Sequence, residues 1–282
     1  MTVYISADIE GISGLVSWSQ CGRPNSEYFD YRWARERMTA DVNAAIRGAR
    51  AAGAERVVVK DSHGNSKNLL IDMLESGTEL ISGYGSGGVV DGMMQGVDES
   101  FDAAMLIGYH AMAGTAKGIM EHTISGRVHH MWINDMPAGE IAMSAGVAGR
   151  YGVPIVAISS DQAGCNEASA LIPGIESAVV KIGLARYMGH CYHPADTTKA
   201  IEAAAKQGVQ NRKQIAPWKP TEPVTFRIEF NRSEECDYSA RIFGVKRLDA
   251  FTVEYTGKDY LEAHQVAWTM LSMAGLGAEA HN

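Results

Sequence analysis

The order strand, helix, strand at the start of the chain constrains its fold more than any other feature. Thr2–Ala7 is a short apolar run of strand length, and residues 57–59 sit in a second one. Between them, residues 27–52 carry Trp33, Met38, Val42, Ala45, Ile46 and Ala49 at helical spacing, and Gly53 closes that helix. Parallel strands need a long crossover, and a helix of this length supplies it. The chain is therefore predicted to be α/β, a three-layer sandwich around a mainly parallel sheet.

Further strands are predicted at 79–82, 103–107, 130–133 and 154–159, with a helix over 139–151 between the last two. From His193 the texture changes. Pro194 opens an Ala-rich helix over 197–207, and the proline-rich run Ala216-Pro-Trp-Lys-Pro-Thr-Glu-Pro223 follows. Two alternating segments, 224–230 and 251–255, and an amphipathic helix over 259–274 complete the chain. The organisation predicted is an α/β catalytic domain over 1–195 and a smaller α+β domain over 196–282, the latter involved in assembly.

The 282 residues are 46% hydrophobic and 21% charged, which excludes a disordered chain. No apolar run approaches the ~18 residues of a membrane-spanning helix. The N-terminus shows no basic start or apolar signal core, so a cytoplasmic location is expected. A net charge of −8 repels polyphosphate, and nucleic acid is not expected as a partner. Cys21, Cys165, Cys191 and Cys236 are far apart and form no C-x-x-C pair, so buried free thiols are expected.

The chemistry gathers at strand ends. In Ser6-Ala-Asp8-Ile-Glu10-Gly11 the two acids lie two apart at the carboxyl end of the first strand, on one side of it. Two packed carboxylates repel unless a cation or proton sits between them. Taken alone, a metal site and a pair of solvated acids explain them equally well. The pattern recurs, however, as Asp61-Ser-His63-Gly64 after the second strand and as Tyr109-His110-Ala after 103–107. Ligands of open parallel sheets bind beyond these ends. Glu140, opening the helix after Trp132-Ile-Asn134-Asp135, is a fourth contributor. Two histidines and three carboxylates suit zinc, or manganese or cobalt. One four-coordinate zinc cannot use all five and keep a position open, whereas two metals sharing a carboxylate and a bridging hydroxide can.

Together, Ser-x-Asp-x-Glu-Gly, Asp-Ser-His, Gly-Tyr-His-Ala and Ile-Asn-Asp-x-Pro-x-Gly-Glu resemble the zinc D-aminopeptidase metallopeptidases. The likeness spans essentially the whole chain, including Leu-Ile-Pro at 171–173 and Leu-Glu-Ala-x-Gln at 261–265. It implies two zinc ions per subunit held by Asp8, Glu10, His63, His110 and Glu140, and a catalytic role for His122. Glu121 stands before that histidine where the family usually has a small residue. The resemblance further implies release of a D-configured N-terminal residue, such as D-Ala, from short peptides, and assembly into a homodecameric ring. Two other readings stand beside it: hydrolysis of a different amide by the same metal cage, and a non-catalytic metal-binding assembly protein. The latter has no use for His122.

Other candidates carry less. His129 and His130 are neighbours on a strand and are expected on opposite faces. Asn134 and Asp135 read as a turn, with substrate contact as the minority reading. Asp161 is either an N-cap for the helix beginning near Gln162 or a group that orients a ligand or the substrate amine. The run Gly83-Tyr-Gly85-Ser-Gly-Gly88 matches a dinucleotide-binding pattern in form, but follows the wrong strand and reads as a loop. Met93, Met94, Met131 and Met143 are expected to fill the core or an interface.

Overall fold

The structure, a computed structural model, describes residues 1–21, 30–83 and 90–277. The start of the predicted first helix, at Glu27, and most of the Gly83–Gly88 run lie outside the described residues. The first half contains β1 (Thr2–Ala7), α1 (Tyr31–Ala51), β2 (Arg56–Asp61), β3 (Thr78–Ile81), β4 (Ala103–Ile107), β5 (Val128–Ile133) and β6 (Met136–Pro137). The second contains α2 (Glu140–Arg150), β7 (Ile155–Asp161), α3 (Gln162–Leu171), β8 (Glu176–Ala185), β9 (Met188–Cys191) and α4 (Pro194–Asn211). The chain continues through β10 (Val224–Phe230), α5 (Ser233–Ser239), β11 (Lys246–Arg247), β12 (Thr252–Gly257) and α6 (Tyr260–Gly277).

Among the described residues the strands form two sheets. The larger runs β3-β2-β1-β4-β7-β8-β9 and is parallel except for β9. The β1-α1-β2 crossover moves one way across this sheet and β7-α3-β8 the other. Right-handed crossovers of opposite direction put their helices on opposite faces, which gives the α/β sandwich. Burial agrees: β1, β4 and β7 are almost wholly enclosed, as strands covered on both sides must be.

The second sheet, β11-β12-β10-β5-β6, is antiparallel and lies under α5 and α6. Val224, Phe226, Ile228 and Phe230 alternate inward along β10, as its sequence pattern requires. The strand predicted at 130–133 is here and not in the parallel sheet. Periodicity identifies a strand, but not the sheet that recruits it. Conversely, the Ala-rich helix at 194–211 packs on α1, β7 and β8 of the parallel sheet. Gly48 makes that helix crossing possible, since a Cβ there would run into the Glu202 carbonyl and Ala205. Each sheet thus draws elements from both sides of residue 195. β8 and β9 carry no prediction from the sequence.

The three thiols of Cys21, Cys165 and Cys236 are buried and free, and Cys191 is half-buried. All four singled-out methionines are buried. No helix among the described residues is long and apolar enough to cross a membrane.

His264 of α6 stacks on Tyr260 and accepts a hydrogen bond from Trp268 Nε1 at 3.0 Å. Burial pushes its pKa down to about 4. In the unfolded chain the value is about 6.5, so the unfolded state takes up the proton first as pH falls. This contribution to stability is complete above about pH 6.5 and declines down to about pH 4, by up to about 3 kcal/mol. Between about pH 6.5 and pH 4 the urea midpoint of wild type should therefore fall more steeply with acidification than that of His264→Gln, which lacks this titration; identical acid limbs would refute the assignment.

Candidate metal centre

The parallel sheet reverses its winding between β1 and β4, and it is beyond the carboxyl ends at such a point that open α/β sheets place their ligand crevice. Ala7 is in register with Asp61 on one side and Ile107 on the other. The loops of β1, β2 and β4 therefore start at one level, and Asp8, Glu10, His63 and His110 are delivered to the same place. Gly11 lets two of these loops touch. Its amide donates to the Gly108 carbonyl at 2.7 Å, and a Cβ there would overlap the Tyr109 carbonyl. Glu140 arrives differently, as the first residue of α2, where the chain returns from the β5–β6 hairpin.

Six side chains converge. His63 Nδ1 lies 3.1 Å from Glu10 Oε2 and 3.3 Å from Asp8 Oδ1. His110 Nε2 lies 3.3 Å from Glu140 Oε1 and 3.6 Å from Asp8 Oδ2. Asp8 thus offers one oxygen to each histidine and joins two triads. His122 stacks on His110 with ring centroids 4.0 Å apart, and its Nε2 is 3.7 Å from Glu140 and 3.9 Å from Glu10. His122 Nδ1 donates to the Met120 carbonyl at 2.9 Å, which leaves Nε2 with the lone pair facing the carboxylates.

Protein groups alone balance this charge only with protons. Burial and then the Glu10 carboxylate push Asp8 up to about 8. Burial also acts to raise Glu10, but His63, His122 and His110 outweigh it and hold Glu10 well below the usual range. His63 and His110 are raised well above the ordinary imidazole value, since the carboxylates around them overcome burial. His122 moves the other way, lowered by burial and by the neighbouring His110. A cluster that must import positive charge suits divalent cations, which bind the same nitrogens and release their protons.

Two observations support that fit. His110 Nε2 is buried without a hydrogen-bond partner. The nitrogen–oxygen spacings of 3.1–3.6 Å are long for charged hydrogen bonds, yet they match the edge of a tetrahedron with zinc-to-ligand bonds of about 2.0–2.1 Å, an edge of about 3.3 Å. Two sets of potential ligands result, Asp8–Glu10–His63 and His110–His122–Glu140.

Comparison with known proteins agrees with this chemistry. The profile of the family described as D-aminopeptidase matches residues 1–269. The chain belongs to that peptidase family. It is 33% identical to a D-aminopeptidase of Bacillus subtilis (strain 168), over 97% of this chain and 98% of that one. It also matches the solved structure of the "Zn-dependent D-aminopeptidase DppA from Bacillus subtilis, a self-compartmentalizing protease", with a TM-score of 0.92, 33% identity and 98% of both chains covered. The protein is thus an enzyme, a peptidase of the zinc-dependent D-aminopeptidase family.

Around the centre of this D-aminopeptidase relative, other charged residues shape loops. Asp61 turns away from the crevice and accepts hydrogen bonds from the Asn68 and Leu69 amides, folding the loop that carries His63. Asp161 caps α3 through Gly164 N and with its other oxygen takes the Ile119 amide at 2.7 Å, three residues before His122. Asn134, at φ 54°, makes the β5–β6 turn and bonds to Thr225 and Thr221, and Asp135 is exposed beside Arg227. At the mouth, the half-exposed Trp18 meets His122 edge-on at 5.0 Å and donates to Tyr187 Oη.

The residue that sequence reasoning missed is Lys181. It is fully buried in β8, and its Nζ donates to the carbonyls of Glu10 (2.6 Å), Ile12 (2.9 Å) and Leu15 (2.5 Å). Burial pushes its pKa down to about 8, so it is charged at neutral pH, with all three protons used. One ammonium therefore fixes the loop that presents Asp8 and Glu10. Lysine inside an apolar strand run is its only sequence signal. Lys181→Met leaves three buried carbonyls unpaired, at about 1–3 kcal/mol each. Its expected outcome is a stability loss of at least ~3 kcal/mol by urea denaturation, together with a zinc affinity at least ~10-fold weaker. Unchanged zinc affinity in the folded variant would remove the positioning role.

Proposed function

We propose that this enzyme removes the N-terminal residue, D-configured as in D-Ala, from short peptides, with two zinc ions per chain held by Asp8, Glu10, His63, His110 and Glu140. The observation that carries this reading is the pair of triads sharing Asp8, with His122 standing slightly farther off than the other five. Zinc bound there supplies Lewis acidity, which acidifies water and polarises the scissile carbonyl.

The chain's own groups then have distinct tasks. His122, neutral because burial and His110 lower its pKa, accepts the proton of the attacking water at Nε2 and returns it to the departing amine. Met120 holds the tautomer that this requires. Trp18 and Tyr187 wall the entrance, and His63 and His122 are the centre's most accessible histidines. Stereochemical preference rests on family membership and on the name of the relatives, not on a contact in the crevice.

A second reading makes His122 a ligand, because His110, His122 and Glu140 also form a compact set. His122→Ala separates the two. As a proton-transfer group its loss should leave two zinc ions per chain by elemental analysis but lower turnover by at least ~100-fold on a D-alanyl dipeptide. Loss of zinc with activity would make it a ligand, and cleavage of L-alanyl peptides equal to that of D-alanyl peptides would refute the substrate assignment.

We also propose that the chain forms a closed ring, a decamer by family resemblance. Among the exposed large apolar side chains, Leu184, Tyr187 and Met188 lie together on the β8–β9 hairpin, and Phe243, Leu248 and Phe251 lie beside the antiparallel sheet. Two different sticky surfaces suit head-to-tail contacts, which close into rings. Light scattering should show an assembly several times 30.4 kDa that cuts short peptides and spares long unfolded chains. A fully active 30.4 kDa monomer would end the compartment proposal while leaving the zinc chemistry in place.

A further inference from the structure

Outside the buried centre, one other cluster of metal-type side chains occurs among the described residues, on the open face of the antiparallel sheet. Its origin is a β-bulge. Glu229 pairs with His130 but the next residue, Phe230, pairs with Val128, so His129 is an extra residue without a partner. In a regular strand His129 and His130 would face opposite ways, as the sequence reading expected. The bulge turns both to the same face instead, with ring centroids 4.4 Å apart. The buried positions 128, 131 and 133 record the same event, spaced by three and then by two.

Oxygen donors meet these rings. Glu229 Oε2 lies 3.3 Å from His130 Nδ1, and Asn231 Oδ1 lies 3.1 Å from His129 Nδ1. One ligand atom from each of His129, His130 and Glu229 falls within 4.8 Å of the others. The Asn231 amide cannot turn over, because its Nδ2 donates to the Gly126 carbonyl at 2.8 Å. The His130 ring is backed by Gly114, where a Cβ would come within 3.0 Å of Nε2, and by Trp132 at 5.7 Å. The side chains of His130 and Glu229 remain 44% and 34% exposed, so an ion from solvent can reach them.

We propose that His129, His130 and Glu229, with the Asn231 amide oxygen, form a separate surface site for a divalent transition-metal ion. Two imidazoles, a carboxylate and a carbonyl oxygen select zinc, nickel or copper over calcium or magnesium, which need more oxygens. The 3.1 and 3.3 Å spacings within the His129–Asn231 and His130–Glu229 pairs are again near a tetrahedral edge of about 3.3 Å, and the ligand atoms of His129, His130 and Glu229 lie within 4.8 Å of one another. The ring nitrogen that faces oxygen in each pair faces the ion once it is bound. Ready access to solvent makes the ion exchangeable, in contrast to one held in the buried centre. Bound there, it ties β5 to β10 across the bulge.

Nickel ion titrated calorimetrically into the zinc-loaded full chain tests the site, with tightly held zinc counted before and after. One further ion per chain is expected, bound at least ~10-fold more weakly by His129→Ala and by His130→Ala. Glu229→Gln, which keeps the size and an acceptor oxygen, should also weaken binding, so the result does not depend on a variant that misfolds. Copper ion should quench part of the tryptophan emission through Trp132 in wild type, and less in His130→Ala. Equal nickel binding by wild type and the two histidine variants, or no added ion at millimolar nickel, would overturn the proposal. The zinc count is independent of that result, so failure here and failure of the buried centre are told apart.

Discussion

Three carboxylates and three imidazoles, all buried but for the partly exposed His63, lie within touching distance at the edge of the parallel sheet, and the surrounding architecture answers to that concentration of charge. Such a cluster is costly to remove from water unless cations or protons neutralise it. Its loops accordingly have no freedom to drift. Asp61 folds one of them, Asp161 pins another through Ile119, and Lys181 gathers the third by its carbonyls. Each of these supporting groups is a charge satisfied chiefly by backbone, with the Asn68 side chain added at Asp61, which fixes loop shape without competing for the ligands.

The winding of the sheet explains why the cluster forms where it does. β1 and β4 are neighbours in space but belong to halves that wind in opposite directions, and the loops that leave them, tied together by Gly11 and Gly108, carry the cluster at the switch point. Glu140 then enters from outside this plan. It reaches the crevice because the chain leaves β4, visits the antiparallel sheet as β5 and β6, and returns as α2. The two sheets are therefore bound into one functional unit by the path of the backbone.

Much of this was legible in the sequence, for reasons that differ by residue. Asp8, Glu10, His63 and His110 follow apolar strands directly, so strand-end position alone brought them together. Glu140 and His122 lie after long connections, and it was the family resemblance that drew attention to His122. The partition of strands between sheets was not legible, because β5 has the same apolar alternation in either sheet. The bulge at His129, which turns both histidines to one face, is hidden from the sequence for a related reason: pairing register is a property of two strands, and only the unusual spacing of Val128 and Met131 hints at it. Lys181 escaped notice because its partners are main-chain carbonyls, which leave no trace in side-chain identity.

Lys181 also bears on how the centre can be handled. Many small metal sites collapse when the ion is withdrawn, since the ion is what holds their loops. Here an ammonium on a covalent tether performs that task from behind, out of reach of any chelator. Emptying the crevice therefore need not erase its shape. The loop that carries Asp8 and Glu10 thus keeps an anchor that does not depend on the ion, and replacement of zinc by a spectroscopically visible ion such as cobalt is expected without refolding.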